Sequence, residues 1–555
     1  MSDFHNLERR PFLSRLLGAA GALALPGHIH ACATDGFTRS EAFDYIVVGT
    51  GSAGSVLIRR LIDAGFSVLA LEAGPPDCLK AIHNPPEVAQ LYGSAVDWGF
   101  RTTAQRYASD QDIAWSWGKT FGGSSSINGM MYVRGRPDDF DGWARAGASG
   151  WGWREVEPYF RRLEDFQLAD PQGVHGHRGP LKVGRPQMTA LARDFVGAAG
   201  AAGMPIRADY NDGRDNTGAS LAQLTILPSG QRGSAWTCYV LPILPHPRLT
   251  VLSHAQVLNL EIQRGQTTGV RFTFAGRTHR VRAGKEILLC AGAIMTPAIL
   301  LRSGIGPERD LVRLGIRCTA DLRGVGENLH DQLTCWTIWE TQRPNTPSLT
   351  TGMEATVFLK SDTAVELPDG QVLLSTNTFP QEGYPIVKQG FTLVPTVLAP
   401  RSRGWVRLAS SEPQDYPLMN PNACADPYDV SVVARCALAI REVMSQSSFR
   451  SWGAKEVAPG PSVTTQAQME AYVRQTATTA SHQVGTARMG LDGLSVVDPE
   501  LRVHGIGGLR VVDASVMPRV TSGNTNAPTL MIAERAADLI LGRTALTARA
   551  VGVAV

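Results

Sequence analysis

Residues 43–74 read FDYIVVGTGSAGSVLIRRLIDAGFSVLALEAG, and no other part of the chain predicts the fold as strongly. The apolar run at 46–48 predicts a short buried strand of a parallel sheet. Glycines in the pattern G-x-G-x-x-G follow at once, and a second apolar run at 68–71 ends at the acidic residue Glu72. A strand, glycine turn, helix and second strand in this order are typical of a Rossmann-like unit. With the acid in register, they predict a binding site for an adenine dinucleotide.

Each of the three glycines and the acidic residue of this unit has a physical role. Gly49 permits the tight turn, Gly51 lets the backbone approach a pyrophosphate, and Gly54 removes a side chain that would hold the helix away from the strand. The phosphates would then face the unpaired N–H groups and positive dipole end of the helix. Glu72 can accept hydrogen bonds from a ribose diol.

Size, charge and cysteine usage narrow the class of protein. The chain has 555 residues, 43% of them hydrophobic, which is enough for a large core and two or more structural regions. The formal charge is +3 from 53 basic and 50 acidic residues, so no overall field recruits nucleic acid or an anionic membrane. The eight cysteines are scattered without CxxC or paired metal spacing, which favours buried thiols and no metal site.

The first 33 residues have the features of an export signal. Arg9-Arg10-Pro11-Phe12-Leu13 precedes an apolar stretch at 16–25 and then Ala31-Cys32-Ala33. That stretch is shorter than the roughly 20 residues needed to span a bilayer, and no later segment predicts a membrane helix. The pattern resembles a cleaved twin-arginine signal peptide at 1–33 and predicts a periplasmic protein. A plain N-terminal extension and a poor lipid-attachment site at Cys32 are the alternatives.

The glycine- and serine-rich run at 118–129 is a second candidate for the binding site. It reads GKTFGGSSSING and contains too much glycine for a helix interior. Consecutive small residues with free N–H groups make a concave nest for phosphate or the edge of a ring. A plain flexible loop is the alternative, but the dinucleotide unit upstream favours the nest.

The rest of the chain predicts two interleaved sheets. Runs at 249–252 and 269–274 predict strands of a small sheet, and 287–292 predicts a buried strand that returns to the first sheet. Alternating runs between 331 and 399, including 371–376 and 392–397, predict an antiparallel sheet that roofs a pocket.

The end of the chain completes the nucleotide-binding region. Residues 509–515 and 528–540 predict a strand, a loop and a helix, so both ends of the chain build one region. The predicted fold is α/β plus α+β: a Rossmann-like dinucleotide-binding domain interleaved with an antiparallel-sheet, substrate-binding domain.

Several further blocks, together with the dinucleotide unit, resemble one family. They are 118–129, 292–306, 324–329, 481–490 and 512–529. From about Phe43 to Gly542 the chain resembles the glucose–methanol–choline (GMC) flavin oxidoreductases. The resemblance implies FAD as the dinucleotide and transfer of a hydride from an alcohol carbon to flavin N5. It implies an FAD-binding region at 40–330, a substrate-domain sheet at 331–400, and a C-terminal region at 401–542 that completes both domains.

Alcohol oxidation also calls for a base, because an alkoxide is a far better hydride donor than a neutral alcohol. A histidine that titrates near neutrality suits this task. His482 matches the catalytic histidine of the family, and Asn526 matches the partner position, which holds His or Asn in different members. Asn can hold the substrate oxygen but cannot act as a base, so proton transfer would fall to His482 alone.

The motif and the resemblance together predict the cofactor-binding residues. These are Gly49, Gly51, Ser52, Ala53, Gly54, Glu72, Ala73, Gly122, Gly123, Ser124, Asn128, Gly129, Val257, Ala291, Asp513, Ala514, Ala527 and Pro528. Pro528 is predicted as the first residue of the final helix, where its missing N–H has no cost. In the family fold the positive end of this helix points at the flavin pyrimidine edge and favours reduction.

Three positions depart from the family pattern. Some members tether FAD through a histidine in the Gly/Ser block, but the matching residue here is Ile127, which predicts noncovalent FAD. Gln483 and Ala487 stand where Pro and Cys are frequent. Neither replacement touches the predicted chemistry, although Gln483 lies beside His482 and can reshape the pocket.

The predicted function is FAD-dependent oxidation of a primary alcohol or polyol. The electron acceptor stays open: export favours a quinone or a cytochrome, and O2 is a further candidate. Choline is less favoured, because a quaternary ammonium calls for a carboxylate or an aromatic cage and the sequence identifies neither. The alternatives are a lyase on the same scaffold, as in the hydroxynitrile lyases, and a noncatalytic nucleotide-binding protein.

Overall fold

The computed structural model describes residues 42–546. The predicted signal peptide at 1–33, with Cys32, lies outside the described residues. Within 42–546, no helix has the length and apolar character needed to cross a membrane.

The first sheet has seven strands and carries the dinucleotide unit. Its parallel part runs in the order Leu249–Leu252, Val68–Leu71, Phe43–Val48, Arg277–Leu289 and Leu509–Val511. The early residues of the long strand Arg277–Leu289 also pair antiparallel with Gln266–Phe274, which pairs with Gln256–Gln263. The pattern of the run at 249–252 predicts a strand of a separate small sheet, and this prediction is wrong. The run is the outer strand of the parallel part, because its backbone pairs with Val68–Leu71.

The register of these parallel strands places their carboxyl ends together. Val48 lies opposite Leu71 and Leu289, Leu71 lies opposite Leu252, and Leu289 lies opposite Val511. In open α/β sheets, ligands bind outside this carboxyl edge. The loops that leave these strands therefore meet on one side of the sheet.

Two helices begin near the carboxyl edge of this sheet and pack on each other. Helix Ser52–Asp63 buries Val56, Leu57 and Leu61 and packs on the C-terminal helix, Asn526–Ile540. The C-terminal helix begins two residues before the predicted start, so Pro528 is its third residue. Proline is tolerated there because the first four N–H groups of a helix have no partner within the helix.

The second sheet has eight antiparallel strands. Six of them run in the order Lys455–Ala458, Thr337–Glu340, Gly390–Val397, Gly370–Ser375, Met353–Leu359 and Gly218–Leu221, while Leu333–Thr334 joins Gly390–Val397 to Thr478–Thr479. Helices Pro427–Ser445 and Ala190–Ala201 pack against this sheet. Residues 331–400 thus supply the central strands, and the edge strands come from both flanking regions.

Shorter elements connect the two sheets. The other α-helices are Lys80–His83, Pro137–Arg145, Trp153–Leu163, Gly292–Arg302, Glu308–Arg313, Ser447–Arg450 and Gln466–Gln475. The remaining strands are Phe100–Arg101, Ala114–Trp115, Glu164–Phe166, Leu181–Val183, Ile305–Gly306, Ala320–Asp321, Glu327–Leu329, Gly404–Arg407 and Leu418–Asn420.

Candidate active site

A cavity of about 810 Å³ lies between the two sheets. The carboxyl edge of the first sheet contributes Gly49, Glu72 and Ala291 to its wall, and the second sheet contributes Gln371 and Val394. Its volume is in the upper part of the range usual for cofactor and substrate sites. A dinucleotide at the first sheet would therefore leave its reactive end facing the second.

The glycine turn has the geometry that the sequence predicts. Gly49 has a φ of +94°, and a Cβ there would lie 2.6 Å from the Cys290 carbonyl oxygen. A Cβ on Gly54 would lie 2.0 Å from the Gly49 carbonyl oxygen, so the helix packs directly on the turn. Gly51 differs, because the nearest atom to a Cβ there is the Cα atom of Gly123 at 3.8 Å. Gly51 lines the cavity, so the free space beside it is space for a ligand.

The Glu72 carboxylate is held at the end of its strand. One oxygen accepts hydrogen bonds from the Thr50 backbone N (3.0 Å) and Oγ1 (2.9 Å), and the other accepts from the Gly74 backbone N (3.0 Å). Burial raises the pKa of Glu72, while these hydrogen bonds favour the ionised form. The carboxylate lines the cavity at the place predicted for a ribose diol.

Asp513 joins the C-terminal segment to the first sheet. Its side chain accepts hydrogen bonds from the Gly292 backbone N (2.9 Å), Thr296 Oγ1 (2.6 Å) and the Ser515 backbone N (2.8 Å). Burial raises the pKa of Asp513. These contacts join the segment at Asp513 to the start of helix Gly292–Arg302, and the neighbouring residues Ala291 and Ala514 line the cavity.

Fourteen of the eighteen residues predicted to bind the cofactor line the cavity. They are Gly49, Gly51, Ser52, Ala53, Glu72, Ala73, Gly123, Ser124, Asn128, Gly129, Val257, Ala291, Asp513 and Ala514.

The other four, Gly54, Gly122, Ala527 and Pro528, do not reach the cavity wall. Gly54 and Gly122 support the turns behind it, since a Cβ on Gly122 would lie 2.3 Å from Ser126 Oγ. Ala527 and Pro528 are buried in the first turn of the C-terminal helix.

His482 is buried in the cavity wall and fixed through its Nδ1 atom. This nitrogen lies 2.6 Å from Gln332 Oε1. The Gln332 Nε2 atom donates to the backbone oxygens of Leu398 (2.8 Å) and Thr521 (3.0 Å), so the amide oxygen must face the histidine. The Nδ1 atom therefore carries the proton, and the Nε2 atom of His482 keeps its lone pair.

The asparagine beside this lone pair is Asn524, not Asn526. The Asn524 Nδ2 atom lies 3.1 Å from His482 Nε2. Asn526 instead accepts a hydrogen bond from Ser52 Oγ at 2.6 Å, on the dinucleotide side. The predicted pairing is therefore wrong by two residues, because the chain enters the C-terminal helix at Asn526 and only the preceding loop reaches the histidine. Asn524 Oδ1 is buried without a partner in residues 42–546.

Burial lowers the pKa of His482 to about 4. The imidazole is consequently neutral at neutral pH, as a base must be before it accepts a proton. Its backbone N donates to Asp331 Oδ1 at 2.9 Å, and burial raises the pKa of Asp331 to about 6.

Gln483 links this region to an aromatic wall of the cavity. Its Nε2 donates to Asp331 Oδ2 (3.0 Å), and its Oε1 accepts from Trp117 Nε1 (2.8 Å). The Trp117 ring also fills the space in front of Gly292, where a Cβ would lie 2.3 Å away. Gln483 thus positions a cavity-lining indole.

The sequence patterns do not identify Gln332, Asp331, Asn524 or Trp117 as parts of the site. Asp331 and Gln332 closely follow the block at 324–329, and this position is the one signal that could have drawn attention to them. The sequence patterns also miss the cavity-lining residues that lie on or beside the second sheet. They are Trp336, Met353, Gln371, Leu373, Phe379, Val394 and Thr396.

Comparison with known proteins shows the family. Two family models described as GMC oxidoreductase match residues 43–334 and 400–533. Mitochondrial choline dehydrogenase of Homo sapiens is 35% identical over 577 residues, covering 96% of this chain and 97% of the relative. Alcohol dehydrogenase [acceptor] of Pseudomonas putida is 36% identical over 530 residues, covering 90% and 96%. The crystal structure of pyridoxine 4-oxidase from Mesorbium loti has a TM-score of 0.85 at 32% identity, covering 90% of this chain and 100% of that chain.

The fold, the buried histidine and these similarities define an oxidoreductase. The chain belongs to the GMC oxidoreductase family. This membership confirms FAD as the cofactor, as the sequence resemblance implies. The residues present fit FAD, because Gly51 leaves open space beside a helix N-terminus and Glu72 lies at the adjacent strand end.

Proposed function

We propose that this chain oxidises an alcohol to an aldehyde or ketone, with His482 as the base that removes the hydroxyl proton. This proposal rests on the hydrogen bonds of the His482 side chain. Its Nδ1 proton is held by Gln332, and its Nε2 lone pair faces the cavity beside Asn524. A neutral imidazole with one defined lone pair is the form that general-base catalysis needs.

Residues near His482 and at the dinucleotide site would supply the other functions that the reaction needs. Asn524 Nδ2 can turn from His482 Nε2 to the substrate oxygen, which it would hold and stabilise as negative charge develops. Removal of the O–H proton leaves an electron pair on oxygen, and this pair forms the C=O bond. At the same time the C–H bond breaks, and its electron pair leaves with the hydrogen as hydride. When bound, FAD supplies the two-electron acceptor for that hydride. Gly51, Ser52 and Glu72 would hold its pyrophosphate and ribose.

The substrate type is supported by two relatives, a choline dehydrogenase and an alcohol dehydrogenase [acceptor]. For the electron acceptor we propose a quinone, a cytochrome or O2. The proposed periplasmic location, which follows from residues 1–33 alone, favours the first two.

The test is anaerobic reduction of the purified holoprotein by a panel of alcohols, followed at the flavin absorbance. Bleaching is expected with at least one alcohol. His482→Ala should slow it by about 10²- to 10⁴-fold, the usual contribution of a general base. A slowing of less than tenfold would exclude His482 as the base. Flavin that no alcohol bleaches, combined with cleavage of a hydroxynitrile, would show the lyase alternative instead.

A further inference from the structure

Arg232 is a buried cation in contact with the glycine- and serine-rich run at 118–129. It is 1% exposed, although arginine is almost never fully buried without a partner of opposite charge. Its Nε atom donates to the Ile82 backbone oxygen at 2.9 Å. Its Nη1 atom donates to the backbone oxygens of Ser125 (3.4 Å) and Asn128 (2.6 Å) and to Asn128 Oδ1 (2.8 Å). The guanidinium therefore lies directly behind a run that lines the cavity.

The charge of Arg232 has no counter-charge within residues 42–546. All of its hydrogen-bond acceptors there are neutral amide oxygens, and its Nη2 atom has no partner among them. The ionisable neighbour that affects its pKa is the Tyr92 phenol, which is uncharged at neutral pH. Burial lowers the pKa of Arg232 to about 10, so the guanidinium stays charged at neutral pH. A buried cation without a counter-charge is strongly unfavourable, so this cation favours an anionic group nearby.

The contact with Arg232 also fixes the side chain of Asn128. Asn128 Oδ1 accepts hydrogen bonds from Arg232 Nη1 and from the Met130 backbone N (3.0 Å). Because both partners are donors, the oxygen end of the amide must face them. Asn128 is half-buried and lines the cavity, and its Nδ2 atom donates to no residue within 42–546. The amide N–H groups are therefore available to a bound cofactor.

The course of the run places Asn128 towards the reactive end of the cofactor. Gly123 packs on the dinucleotide turn, since a Cβ there would lie 2.8 Å from the Gly51 Cα atom. Farther along, the Gly129 backbone oxygen accepts a hydrogen bond from Thr351 Oγ1 at 2.9 Å, two residues before a strand of the second sheet. Asn128 is adjacent to this second contact. It therefore lies nearer to the place for the reactive ring than to the place for the pyrophosphate.

We infer that Arg232 stabilises the negative charge of the reduced flavin, by its own charge and by holding the Asn128 amide towards the ring. Uptake of a hydride leaves negative charge on a flavin ring. A fixed cation in a site that excludes water favours this charged form over the neutral oxidised form. Arg232 thus raises the reduction potential of the bound flavin, which depends on the charges that the protein places near the ring. It is a positioning residue, because it acts through Asn128 and does not line the cavity.

Sulfite affinity and reduction potential of the flavin in the holoprotein test this inference. Sulfite adds through its sulfur atom to flavin N5, and its electron pair leaves the ring negatively charged, so a nearby cation tightens the adduct. Arg232→Gln should weaken sulfite binding by at least about tenfold. It should also lower the reduction potential by at least about 30 mV, which equals a tenfold change for a two-electron couple. Unchanged values in this variant would overturn the inference.

Arg232→Lys is the matched control for charge. Lysine keeps the cation but cannot reproduce the forked hydrogen bonds of arginine, so both variants lose contacts with Ile82 and Ser125. The melting temperatures of both holoproteins should fall by similar amounts. The sulfite affinity of Arg232→Lys, in contrast, should stay within about threefold of the parent value. An equal loss of sulfite affinity in the two variants would show that the geometry of the run, not the charge, is responsible, and would contradict the inference.

Asn128→Ala tests the amide even if Arg232→Gln does not retain FAD. Its sulfite affinity should fall by at least about fivefold, as expected for loss of one hydrogen bond to a charged group. Unchanged sulfite affinity in Asn128→Ala would overturn the inference. Weaker binding of oxidised FAD by Arg232→Gln with unchanged sulfite affinity would show pairing with the pyrophosphate instead.

None of these measurements uses an alcohol, so they are independent of the proposed function. The inference rests on FAD as the cofactor and not on the reaction that FAD serves. Failure of the sulfite and potential measurements would leave the role of His482 intact. Failure of every alcohol to bleach the flavin would leave the role of Arg232 intact.

Discussion

The Nδ1 atom of His482 lies 2.6 Å from Oε1 of Gln332, a side chain whose own amide nitrogen donates to the backbone oxygens of Leu398 and Thr521. These two main-chain acceptors orient the amide, and the amide selects the tautomer of the imidazole. Gln332 is therefore a positioning residue for the base. It acts through His482 from 150 residues away in the sequence.

The pH dependence of flavin reduction should reflect this environment. Burial lowers the pKa of His482 to about 4, so the neutral base persists to acidic pH. Below that pKa the imidazole is protonated, and kcat/KM should fall tenfold per pH unit. Anaerobic stopped-flow measurements are expected to show the midpoint near pH 4. A midpoint at 6.5, the ordinary value for histidine, would contradict the buried environment.

Substitution of Gln332 should move that midpoint. Gln332→Glu retains an acceptor but adds a negative charge, which favours the imidazolium and shifts the acidic limb to higher pH. Gln332→Leu removes the acceptor and should lower kcat about tenfold with little change in KM, because the correct tautomer loses the free energy of about one hydrogen bond. A residue with only a packing role would leave the pH midpoint of the Glu variant unchanged.

Substitutions of Asn524 and Asn526 should affect different steps, catalysis in the first case and FAD binding in the second. Asn524→Ala removes the donor beside His482 Nε2 and should lower kcat/KM for the alcohol at least tenfold. Asn526→Ala breaks the contact with Ser52 and should weaken FAD binding about fivefold without slowing flavin reduction at saturating FAD. Equal slowing by both variants at saturating FAD would refute this division.

The glycines of the turn provide a matched pair for cofactor binding. Gly51→Ala meets no protein atom closer than 3.8 Å, so the apoprotein should melt within about 2 °C of the parent. Its methyl group would occupy the space for the pyrophosphate, so FAD affinity should fall at least 100-fold.

Gly54→Ala is the control, because its methyl would lie 2.0 Å from the Gly49 carbonyl oxygen. This variant should destabilise the apoprotein by about 1–3 kcal/mol, the usual cost of overpacking. Differential scanning calorimetry and FAD titration measure both effects. An apoprotein of Gly51→Ala as unstable as that of Gly54→Ala would show that the turn, not the ligand, needs Gly51.

The attachment of FAD can be checked without mutation. Ile127 lines the cavity and has no nucleophilic atom to form a bond with the flavin. Acid precipitation of the holoprotein should therefore release the yellow colour into the supernatant. Colour retained in the pellet would contradict noncovalent binding.

The sequence alone determined the dinucleotide unit, because its parts are close along the chain and each follows from a local requirement. Gly49, Gly51, Gly54 and Glu72 lie within 24 residues, where the turn, the helix start and the strand end leave few alternative arrangements. The family block at 481–490 also identifies His482, and the alternating apolar runs between 331 and 399 predict the antiparallel sheet. These features depend on short-range pattern, which a sequence displays directly.

The side chains that meet at His482 are set by the folded arrangement of distant segments. Asn524 and Asn526 are equally plausible in the sequence, and the direction of the loop before the C-terminal helix places one at His482 and the other at Ser52. Gln332 has no local signature at all. Its role arises from main-chain acceptors far along the chain, which only long-range packing brings to it.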